Sequence, residues 1–89
     1  MNDWKSITED LRGLSQMPLN TQDDLAACIK RAAKTQRRLE TKPKEVIDGL
    51  PHFVWHYLSD VDIRFKDQGY RQRQDTSIAA IIRELEQRN

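Results

Sequence analysis

Between Leu50 and Val61 the apolar residues Leu50, Phe53, Val54, Tyr57, Leu58 and Val61 recur at i, i+3, i+4, i+7, i+8 and i+11. That spacing gathers all six on one stripe of a 3.6-residue helix and would scatter them over both faces of a strand. A chain with this as its strongest pattern has to bury a helix face against other helices. Only three glycines and three prolines interrupt the sequence, and period-2 alternation of polar and apolar residues is nearly absent. The expected class is all-α. Residues 1–89 should form a single small domain of four or five helices packed around a central amphipathic helix at about 51–61.

The other helices follow from the same period and from their end signals. Trp4, Ile7, Leu11 and Leu14 mark a first helix over about 3–15, with Asn2 or Asp3 as N-cap and Met17-Pro18 closing it. Thr21 reads as the N-cap of a second helix over about 22–39, with Asp23 and Asp24 opposing the positive end of its dipole. Its apolar stripe reads as Leu25, Cys28, Ile29, Ala32 and Leu39. Thr41 and Pro43 should open a short third helix carrying Val46, Ile47 and Leu50 and ended by Gly49. Because proline is tolerated at a helix start, residues 43–59 are either two helices or one helix kinked at Gly49-Leu50-Pro51. Ser59 is expected to cap a further turn bearing Ile63 and Phe65. Ile78, Ile81, Ile82 and Leu85 mark a last helix over about 68–87, for which Asp75 or Thr76 would be the cap if it began late.

A domain of this length builds one modest core and no deep cofactor cleft, so no cofactor is expected. Cys28 is the single cysteine and has no disulfide partner in the chain. The start Met1-Asn2-Asp3-Trp4-Lys5 lacks the pattern of a secretory signal. Both point to a reducing, cytoplasmic setting. No apolar run approaches the ~20 residues of a membrane span.

The net charge of +1 conceals a division along the chain: residues 1–27 carry −3, 28–44 carry +6, 45–62 carry −4 and 63–89 carry +2. Lys30, Arg31, Lys34, Arg37 and Arg38 lie opposite the apolar stripe of the second helix and form a basic patch. Such a face can be merely solvated, can dock an acidic protein surface, or can neutralise phosphates. Nucleic acid is the weaker expectation, because a positive excess is missing and the −4 segment adjoins the +6 segment. A helix-turn-helix would need a recognition helix after residue 42, and Val46-Ile47-Asp48-Gly49 is too short and carries the wrong charge.

Trp55 lies off the stripe of the central helix, flanked by His52, His56 and Tyr57, a composition common in protein-binding hot spots. His52, His56 and Asp60, at i, i+4 and i+8, also suggest metal ligands, yet a zinc site needs a further ligand that the sequence does not supply, and no metal is expected. Nucleophile elbow, phosphate-binding glycine loop and paired-carboxylate motif are all missing, so catalysis is not expected. The sequence therefore suggests a small non-catalytic protein that binds another protein, as adaptor, inhibitor or regulatory subunit. It would act through Trp55, His52, His56 and Tyr57 or through the basic patch, and the alternative is a nucleic-acid-associated regulator using that patch. Whether leftover apolar surface closes a homodimer is not decided by sequence.

Overall fold

The computed structural model describes residues 3–88, so the reading of Asn2 as a cap lies outside the described residues. Six helices follow one another: α1 Asp3–Ser15, α2 Gln22–Glu40, α3 Lys44–Asp48, α4 Phe53–Ser59, α5 Val61–Lys66 and α6 Gln68–Glu86. The described residues contain no strand. The all-α class holds, and the count reaches six because α3 and α5 are separate single turns of five and six residues.

The ends of the helices explain where they stop. Thr21 Oγ1 accepts the Asp24 N–H at 3.1 Å, while Asp24 Oδ2 accepts from Thr21 at 3.1 Å and from Asn20 at 2.9 Å, a complete capping box. The backbone N–H of Asn20, above all, holds the Asp24 carboxyl below its ordinary pKa. Thr41, expected to open the third helix, instead closes α2. Its N–H reaches the Arg38 and Leu39 carbonyls, its hydroxyl donates to Arg38 O at 2.7 Å, and its helical φ and ψ do not suit an N-cap. Pro43 takes the position before α3 without a side-chain bond. Residues 43–59 form two helices, since Pro51 has no N–H to continue the ladder and disfavours helical backbone at Leu50. Ser59 remains the last residue of α4, its hydroxyl donating to His56 O, and Asp60 is the hinge between α4 and α5. Asp67 starts α6 early by accepting the Tyr70 N–H at 3.0 Å, which leaves Asp75 and Thr76 inside the helix.

The most extensive packing is α1 against α6, with α2 bridging α1, α4 and α5, and α6 also covering α4 and α5. Ile7, Leu11 and Leu14 of α1 and Ile78, Ile82 and Leu85 of α6 are buried, as are Val54, Tyr57 and Leu58 of α4. The central stripe is thus internal as its spacing required, although α1 rests chiefly on α6 and α2. The stripe of α2 is Cys28, Ala32, Thr35 and Leu39, at i, i+4, i+7 and i+11. Ile29 sits one step aside and is 46% exposed, while Thr35 takes the inner place and satisfies its hydroxyl on Arg31 O at 2.9 Å. In α5 the same exchange occurs, with Ile63 outside and Arg64 buried at 3% exposure.

Truncation at the two buried stripes should be costly. Leu58→Ala and Ile82→Ala are each expected to lose roughly 2–5 kcal/mol, a large part of the stability of so small a domain. Denaturant melts of the two variants check this, and midpoints equal to that of the parent protein would contradict the burial of these residues.

Candidate functional site

The capping box fixes where α2 begins, and the core stripe fixes its rotation about its own axis. Lys30, Lys34 and Arg37 then stand directly opposite the buried side, and Arg31 and Arg38 stand on the flank facing α1. All five are exposed. Arg38 pairs with Asp10 of α1 at 3.3 Å, and Arg31 lies across Gly13 so closely that a Cβ there would meet its Nη2 at 3.0 Å. Two further cations of the +6 segment are also paired, Lys42 with Asp3 at 3.6 Å and Lys44 with Asp48 at 3.0 Å. Lys30, Arg31, Lys34 and Arg37 form no ion pair among the described residues. Four like charges within three helical turns repel one another, and an anionic partner would relieve that repulsion.

The second expected surface comes apart on inspection. His52 and His56 are exposed, their rings 4.8 Å apart edge to face, and Trp55 is half-buried and packed against the core. Tyr57 belongs to the interior at 2% exposure, because it shares the inward stripe with Val54 and Leu58, and it does not join a surface with Trp55. Asp60 also leaves the histidine row. Its Oδ2 accepts from Tyr70 Oη at 2.5 Å and from Gln74 Nε2 at 3.2 Å. No group of three metal-ligating side chains gathers among the described residues, so the trio His52, His56 and Asp60 does not assemble.

Beneath both surfaces lies a polar cluster that periodicity did not reveal. Arg64 Nη1 donates to the Tyr57 carbonyl and to Gln74 Oε1, both at 2.6 Å, and its guanidinium stacks 3.9 Å from the centroid of the Tyr57 ring. Gln74 relays the charge: its carbonyl oxygen faces the cation, and its amide donates to Asp60 and, at 3.0 Å, to Tyr70 Oη. The hydrogen bond to Asp60 raises the Tyr70 phenol above its ordinary pKa. Cys28 is buried nearby; burial raises its thiol pKa, against the opposing pull of Arg64, which keeps it a poor nucleophile. The only signal in the sequence was negative, a polar Arg64 and Gln74 falling where apolar residues would continue the pattern.

No known protein family, curated protein or solved structure matches this chain.

Burial pushes the Tyr57 phenol up to about 12 from its ordinary 10.0, with Arg64 pulling the other way. The folded state therefore keeps a proton that the unfolded chain releases. Stability from this group should be level below pH 10 and should fall as pH rises from 10 to about 12. Tyrosinate absorbance of the Tyr70→Phe variant, in which Tyr57 is the one phenol, followed together with melting temperature checks it: ionisation near pH 10 with no loss of stability would contradict the buried placement.

Proposed function

We propose that this chain is a non-catalytic protein-binding module whose docking face is the outer side of α2, where Lys30, Lys34 and Arg37, with Arg31 at the flank, meet an acidic surface of a partner protein. One observation carries the reading. Lys42, Lys44 and Arg38 have carboxylate partners, whereas these four have none among the described residues. Such a face speeds encounter with an acidic partner and fixes its register. The buried Cys28 and the lone, exposed histidine pair support a binding role over a catalytic one. A reducing compartment accords with an unpaired, buried thiol. As for membranes, no helix among the described residues is long and apolar enough to cross one.

Phosphates could meet the same cations, and that alternative makes different demands. α3 follows α2 with five residues and two acidic groups, Glu45 and Asp48, and so offers no recognition helix. The near-neutral total likewise favours a local partner over a polyanion.

The test is retention of proteins from a native lysate on immobilised protein, with and without nuclease. Under the docking reading, the double variant Lys34→Glu/Arg37→Glu should lower affinity for the retained partner by about 30-fold or more, the scale of a hot-spot loss of ~2 kcal/mol, and nuclease should change nothing. Loss on Trp55→Ala with the charge variant unaffected would move the site to α4. Nuclease-sensitive retention whose log–log salt slope falls by about one per charge removed would establish nucleic acid instead.

A further inference from the structure

At the α1 side of this basic face the surface dips into a recess of about 250 Å³ lined by Met17, Ala27, Lys30, Arg31 and Lys34. Its apolar lining comes from Met17 and Ala27, and its charged lining from the three cations. The recess falls short of the roughly 300–1,000 Å³ of small-molecule sites and suits a single side chain.

The loop that carries Met17 is held in place. Met17 packs against the core, and its N–H bonds to Leu14 O at 3.2 Å. Two residues on, Leu19 is buried and its carbonyl accepts from Arg71 Nη1 at 3.2 Å. The capping box at Thr21 fixes the other end of the loop. A loop backbone already held in place spares a ligand the cost of ordering it, and the Met17 thioether adapts to the shape of an apolar guest.

We infer that this recess receives one apolar side chain carried by an acidic peptide segment of the partner, with the guest on Met17 and Ala27 and flanking carboxylates on Lys30, Arg31 and Lys34. The inference rests on the docking reading above and adds to it the identity of the ligand. Charge complementarity selects the acidic flanks, and the apolar lining selects the guest, which a phosphate backbone cannot supply.

Two labelled octapeptides of aspartate and glutamate, one with a central leucine and one with a central alanine, separate the claims by fluorescence anisotropy. Both should bind with salt-dependent affinity, and the leucine peptide should bind about tenfold more tightly, a conservative share of the gain from burying such a side chain. Met17→Ser should erase that advantage and leave the alanine peptide unchanged. Ala27→Gln, at an exposed helical position that tolerates the larger side chain, should plug the recess with the same result. Equal affinities of the two peptides for the parent protein would overturn the recess and leave the docking face standing. Binding of neither peptide, or binding of duplex RNA alone, would overturn both.

Discussion

A guanidinium buried at the corner where α4, α5 and α6 meet is the interaction on which the arrangement depends. Arg64 is always charged, and at 3% exposure it has given up most of its water. No carboxylate among the described residues pairs with it directly. Its charge is met instead by the Tyr57 carbonyl, by the face of the Tyr57 ring and by the Gln74 amide, which hands the dipole on to Asp60. The contacts tie α5 to Tyr57 of α4 and to Gln74 of α6, and through Gln74 to the hinge at Asp60. Removing the guanidinium would leave buried acceptors unmatched at about 1–3 kcal/mol each, so the cluster fixes how α5 turns between its neighbours.

That corner supports α2, whose inner stripe rests on α4 and α5. With Cys28, Ala32, Thr35 and Leu39 inward, the helix has no freedom to turn its cations toward the acidic groups of the molecule. The division of charge along the sequence thus becomes a division in space. Lys42 is paired with Asp3, Lys44 with Asp48 of its own helix and Arg38 with Asp10 of α1, and the outer row is left without an ion pair among the described residues. A net charge of +1 says nothing of this, because it sums over groups that the fold has already paired.

The helices were legible in the sequence because their apolar residues repeat at the helical period and their ends carry side chains that bond to backbone. Thr21 with Asp24 is the clearest instance. Errors arose where one residue served two possible ends, as Thr41 did, and where a polar residue occupied an inward position. Thr35, three residues after Ala32 and four before Leu39, holds the inward phase, but its hydroxyl keeps it out of an apolar count, which takes Ile29 instead. Arg64 and Gln74 were invisible for a deeper reason: each is an unfavourable core residue alone, and only the cluster with Tyr57, Asp60 and Tyr70, brought together by the fold, satisfies both. For the same reason the metal reading of His52, His56 and Asp60 could not be dismissed by spacing, since Asp60 is claimed by Tyr70 and Gln74 across the fold. The basic row on α2 was legible in full, whereas the recess beside it required Met17, a loop residue with no periodic signal.

The most direct test of this account is nitrogen-15 NMR of the Arg64 guanidinium. Hydrogen bonds from Nη1 to Tyr57 O and Gln74 Oε1, with the Tyr57 ring against the plane, should stop rotation about the guanidinium bonds. The account predicts separate, slowly exchanging Nη protons that persist in ~1 M salt, where exposed charges are screened. A single averaged signal exchanging as fast as that of a solvated arginine would contradict it.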